Sequence, residues 1–122
     1  MRRALACCLA AALAACAVAP AGPDAPRERT GQNIAPYESH EECLTLGPGD
    51  RLDYRFTSTS PITFNIRYRE DNAVISPIVR EGVSADSGIF QPVARQTFCL
   101  HWEAGAAPVL VSYRVAVRRR GS

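Results

Sequence analysis

Lysine is absent from this sequence of 122 residues; all fourteen basic side chains are arginines. A chain without lysine has no Walker-type phosphate loop and forms no Schiff base with a carbonyl substrate. Histidine is almost as scarce, with His40 and His101 alone. No stretch carries a helical hydrophobic period, and no apolar run reaches the roughly 20 residues that span a bilayer. A large excess of positive charge is missing too. The formal net charge is +2, and Arg2 and Arg3 lie in a leader expected to be removed, which leaves twelve arginines against twelve acids. Such a neutral surface lacks the basic footprint that neutralises phosphates, so nucleic acid is not an expected partner. No cofactor motif is present, and no cofactor is expected.

What is there begins at the N-terminus. After Arg2 and Arg3, residues 4–13 form an uncharged apolar run, and small residues follow up to Cys16. This is the charged, hydrophobic and small-residue layout of an export signal. The tetrapeptide Leu13-Ala14-Ala15-Cys16 resembles the lipobox of bacterial lipoprotein signals: Leu or Val, Ala or Ser, Gly or Ala, then Cys. That resemblance implies a signal peptide over residues 1–15, diacylglycerol thioether-linked to Cys16, and acylation, as by palmitate, of the new amine. Two or three acyl chains anchor a protein effectively permanently, where one binds only marginally. Ala17, rather than Asp, follows the cysteine, which in the sorting pattern of Gram-negative lipoproteins implies the periplasmic face of the outer membrane. The membrane is thus an expected partner through the lipid. The alternative is a plain secretory signal cut near Ala17-Val18-Ala19, with Cys16 lost.

Residues 16–36 carry Pro20, Pro23, Pro26 and Pro36 without apolar periodicity and read as an extended tether. From residue 37 the chain alternates as strands do. A short strand over 42–46 ends at Gly47-Pro48-Gly49-Asp50. Residues 51–57 place Leu52, Tyr54 and Phe56 on one face, and 61–68 place Ile62, Phe64, Ile66 and Tyr68 likewise. Residues 73–79 and 89–93 contain Pro77 and Pro92, marks of edge strands or bulges, with a loop over 80–88 between them. Residues 96–103 turn Phe98, Leu100 and Trp102 inward, and 109–118 align Val109, Val111, Tyr113, Val115 and Val117. About seven short strands at this spacing predict an all-β fold, an antiparallel β-sandwich or small barrel, of which a single sandwich over 37–118 is the expected form, followed by a basic tail at 119–122.

Of the five cysteines, Cys7, Cys8 and Cys16 belong to the signal or lipid. In an exported chain the remaining pair, Cys43 and Cys99, is best read as a disulfide. It closes a loop of about 57 residues, worth roughly 4 kcal/mol in the chain-entropy view. By parity both thiols lie off the apolar face, so the bridge pins two neighbouring strands rather than crossing the core.

The order Cys43-Leu44, Gly49 to Phe56, Pro61 to Ile66, Gly88-Ile89-Phe90, Cys99-Leu100-His101-Trp102-Glu103 and Tyr113-Arg114-Val115 resembles a GOLD-type domain. In that family a Gly-x-Phe step precedes a strand reading Tyr-Cys-Leu-x-Trp-x-Asn. Ala104 stands where the family usually has Asn, and no coiled-coil helix follows. The resemblance implies a jelly-roll-like β-sandwich that binds protein or lipid and has no catalytic residues.

The function expected is therefore that of a non-catalytic envelope lipoprotein, binding a protein or cell-envelope component. Its expected contact face comprises Asn65, Arg67, Arg69, His101 and Glu103; Arg67 and Arg69 share strand parity with Asn65, as a fork for carboxylates or phosphates would. An alternative is a periplasmic inhibitor of lysozyme. Ser87-Gly88 and Trp102-Glu103-Ala104-Gly105 are similar to steps in inhibitors of C-type lysozyme, although that family's Lys-Gly step is absent. A second alternative is a metal site, with the bridge drawing His40 and His101 to one edge beside Glu41 or Glu103; the commoner arrangement is two solvent-facing histidines and no metal. Asp86-Ser87-Gly88 resembles a serine-protease nucleophile loop, but one small sandwich does not supply the two barrels of those enzymes.

Overall fold

The computed structural model describes residues 24–121. The signal over 1–15 and the lipidation expected at Cys16 lie outside the described residues. Within them are six strands: β1 (Arg27–Ile34), β2 (Ser39–Leu46), β3 (Arg51–Glu70), β4 (Ala73–Phe90), β5 (Gln96–Ala104) and β6 (Val109–Arg118). All pair antiparallel in one sheet ordered β1-β6-β3-β5-β2, with β4 along the other edge of β3. The all-β expectation stands at this level.

The sheet is organised by β3. Its first half pairs with β6, from Arg51 opposite Arg118 to Ser58 opposite Val111. Its second half pairs with β5, from Ile62 opposite Ala104 to Arg67 opposite Cys99. Between them the strand bends at Ser58–Pro61, where the Ser58 hydroxyl donates to the Ser60 carbonyl (2.6 Å) and the Leu110 N–H to Thr59 Oγ1 (3.0 Å). The β3–β4 register slips between Thr57 and Ile62, beside the left-handed Gly82 (φ 64°), so both long strands turn the corner together. The sheet thereby curls on itself. Phe56 meets Phe64 at a centroid distance of 4.7 Å, and Trp102 stacks on Tyr113 at 4.3 Å. Leu46, Leu52, Phe64, Ile66, Leu100, Trp102 and Val111 lose essentially all solvent contact, each contributing on the order of 1.5–3 kcal/mol.

Several segments differ from expectation. Residues 27–34 of the expected tether form β1, paired with β6 from Arg27–Val115 to Ile34–Val109. They show no alternation because an edge strand buries little, here fully only Ile34. The strand expected at 42–46 begins at Ser39. The two strands expected at 51–57 and 61–68 are the one strand β3, because its pairing with β4 resumes across the bend. Residues 80–88, read as a loop, lie inside β4; its side chains are mostly exposed, with Phe90 alone buried, so no periodicity marks it. Of the strand expected at 89–93, only Ile89 and Phe90 are in a strand, as the end of β4. The basic tail is also anchored in part. Arg119 pairs with Asp24 and Asp50 (3.1 Å) and donates to the Thr45 carbonyl (2.8 Å).

Candidate functional site

Alternation along β3, β5 and β2 puts one set of side chains outside the curl. Asn65 stands opposite His101, Arg67 opposite Cys99 and Thr63 opposite Glu103; across β2, Glu41 stands opposite His101 and Cys43 opposite Cys99. The two cysteines are bridged, with Cα atoms 4.0 Å apart and 56 residues between them in sequence. The bridge lies on this outer face and pins β2 beside β5, as their parity predicts.

His101 sits at the centre of the face and is only 4% exposed. Arg67 Nη2 donates to Glu41 Oε1 at 2.6 Å, and that same oxygen lies 3.8 Å from His101 Nε2, too far for a hydrogen bond. Burial lowers the His101 pKa, and the Arg67 guanidinium lowers it further against the opposing pull of Glu41 and Glu103. The ring is therefore neutral near pH 7. Its Nδ1 and the Asn65 Oδ1 are both buried with no hydrogen-bond partner among the described residues. Beside this cluster runs a groove of about 350 Å³, bordered by Glu41, Arg67, Arg69, Val74 and Thr97. The structure thus gathers Asn65, Arg67 and His101, sets Arg69 along the groove, and leaves Glu103 on the same face with no side-chain partner among the described residues. Glu41, which locks Arg67, was not among the expected contact residues. It shares the outward parity of Cys43, the signal by which the sequence points to it.

His40 belongs elsewhere, which corrects the metal alternative. It stands opposite Trp102 on the inner face, while His101 is outside. Tyr113 donates its hydroxyl proton to Glu42 Oε1 (2.7 Å), so His40 presents Nε2–H to the Tyr113 oxygen at 2.8 Å. Arg27 completes the network, donating to Glu42 Oε2 (3.1 Å) and to the Cys43 carbonyl (2.7 Å). Burial lowers the His40 pKa and raises that of Tyr113. Two histidines on opposite faces share no ion. The one metal-capable group among the described residues is Glu41, Cys43 and Cys99, and both sulfurs are spent in the disulfide. Ser87 stands opposite Arg55 in the first half of β3, whereas His101 pairs with the second half, so they form no nucleophile–base pair.

No known family profile matches the chain, and no curated protein sequence matches it significantly. Among solved structures the fold is similar to that of Aeromonas hydrophila PliG, a periplasmic inhibitor of g-type lysozyme. The TM-score is 0.58 at 14% identity, covering 76% of this chain and 86% of that one. It is also similar to TmCBM61, solved with β-1,4-galactotriose, with a TM-score of 0.50 at 11% identity over 80% of this chain and 76% of that one. What these likenesses establish is a shared all-β, sandwich-like architecture.

Proposed function

We propose that this chain is an exported, lipid-anchored and non-catalytic binding module of the cell envelope, which uses the Glu41–Arg67–His101 face to hold a protein partner. The observation that carries the reading is the pair of buried, unsatisfied atoms, His101 Nδ1 and Asn65 Oδ1, beside a fixed ion pair and an open groove. Buried polar atoms are nearly always hydrogen-bonded, and a docked partner is one way to satisfy these two. The lipobox-like Leu13–Cys16 segment supports the anchor, and the periplasmic location of PliG is in keeping with an envelope setting. The GOLD-like order of motifs fits the same class of role. Photo-crosslinking in intact envelopes tests the face. A probe at Thr97 is expected to trap a discrete adduct that a probe at Ala106, in the exposed turn between β5 and β6, does not. Equal labelling from both positions, or none from Thr97, overturns the reading.

The likeness to PliG favours one specific version, in which the partner is a lysozyme. Sub-micromolar inhibition of a g-type or C-type lysozyme by the purified protein, weakened tenfold or more by Arg67→Gln, would establish it. Inhibition of neither removes lysozyme and leaves the crosslinking test standing.

A further inference from the structure

The outer face formed by the first half of β3 with β6 carries a charge arrangement that the Glu41–Arg67–His101 face does not explain. Register sets Arg51 directly opposite Arg118 and Arg55 directly opposite Arg114. All four have outward parity, because Leu52, Tyr54, Phe56, Tyr113 and Val115 fill the inner face. Directly opposed residues on antiparallel strands hold their Cβ atoms about 5 Å apart, a spacing at which like charges destabilise the sheet. Each pair is only half neutralised. Asp53 reaches Arg51 at 3.4 Å and Glu28 reaches Arg114 at 2.7 Å. Among the described residues no carboxylate forms an ion pair with Arg55 or Arg118. Two shallow grooves, of about 280 and 410 Å³, meet at Arg55 and Arg114, which line both.

We propose that this face docks an extended acidic segment of a partner protein, with one carboxylate on Arg55 and a second on Arg118. Arg55 and Arg118 sit four residues apart along the strands, about 13 Å, which is the span between residues i and i+4 of an extended peptide. A planar carboxylate matches the guanidinium fork. Asp53 and Glu28 share the plane of the arginines, so a continuous layer of lipid phosphates would press against fixed negative charge, whereas a peptide with spaced carboxylates meets only the free arginines. Beside the Arg55 groove, Ile89 is 52% exposed and offers an apolar contact to an intervening side chain. This contact is separate from the Glu41–Arg67–His101 face and stands or falls without it.

The test titrates an end-blocked Glu-Ser-Thr-Ser-Glu peptide into the purified protein at low ionic strength, followed by amide chemical shifts. The Glu peptide is expected to bind and the Gln-substituted peptide not to. Arg55→Gln and Arg118→Gln are each expected to weaken binding about threefold to fivefold, the range of an exposed ion pair, and the double variant to weaken it at least tenfold. Arg67→Gln is expected to leave it unchanged. In the unliganded protein Arg55→Gln relieves the like-charge contact, so its melting midpoint is expected to hold or rise. No binding of the Glu peptide, binding that persists in the double variant, or a lowered Arg55→Gln midpoint overturns the proposal. So does arginine-dependent binding of pyrophosphate or phosphatidylglycerol vesicles without binding of the peptide.

Discussion

A half-buried histidine, His40, and a buried one, His101, lie on opposite faces of one sheet and titrate in the same direction. His101 and His40 both have folded pKa values below the ordinary value near 6.5, chiefly through burial. As pH falls, the unfolded chain therefore takes up protons first, and stability is lost from about pH 6.5 downward until the folded pKa is passed. Urea midpoints are expected to fall between pH 7 and 5, and His101→Gln is expected to flatten that slope. A second loss belongs at lower pH. The N–H groups of Gly47 (2.8 Å) and Arg120 (3.0 Å) hold the Asp50 carboxyl below the usual carboxylate range. Its contribution is full above about pH 4 and disappears as pH falls through the lowered value, so Asp50→Asn is expected to remove that stage of acid unfolding. Gly88 makes a purely steric case. A Cβ there would meet Tyr54 Oη at 2.7 Å, and Gly88→Ala is expected to cost about 1–3 kcal/mol by chemical denaturation, as overpacking does. Parity alone places both thiols outside; it turns His40 inward only because β2 begins at Ser39, ahead of the strand expected at 42–46. It says nothing of the burial of His101, which depends on which strands flank β5.

The disulfide joins β2 to β5, strands that their own antiparallel ladder already sets side by side. Replacing both Cys43 and Cys99 by Ala is expected to cost about 2–5 kcal/mol, read as a lowered denaturant midpoint with the fold retained in the absence of denaturant. Strands with one wholly buried face were legible in the sequence: residues 51–57, 61–68, 96–103 and 109–118 alternate cleanly because Leu52, Phe64, Trp102 and Val111 each face the core. The outer strands were not. β1 buries Ile34 and β4 buries Phe90, and one inward residue makes no period. Fusion of two expected strands into β3 was hidden as well, since a bend sealed by hydroxyls at Ser58 and Thr59 has the composition of a turn. Ile34→Ala tests how firmly β1 is seated. It is expected to cost about 2–4 kcal/mol and to expose the β1 amides to hydrogen exchange ahead of those in β5.

At the scale of the whole molecule, the curl leaves one outer face with a locked Glu41–Arg67 pair and another with opposed arginines, so that two contacts are possible without overlap. The sequence shows the residue types of both but not their grouping, because strand order decides which charges become neighbours. The pairing of β1 with β6 carries one more consequence, for the route by which the chain reaches this shape. Its earliest strand waits for its latest. A polypeptide synthesised amino end first exposes residues 27–34 long before residues 109–118 arrive to zip against them, and such distant pairings are slow to form. The leading edge of the growing chain therefore stays open to proteases until β6 has been made, and a chain released short of β6 is expected to be clipped within β1 first.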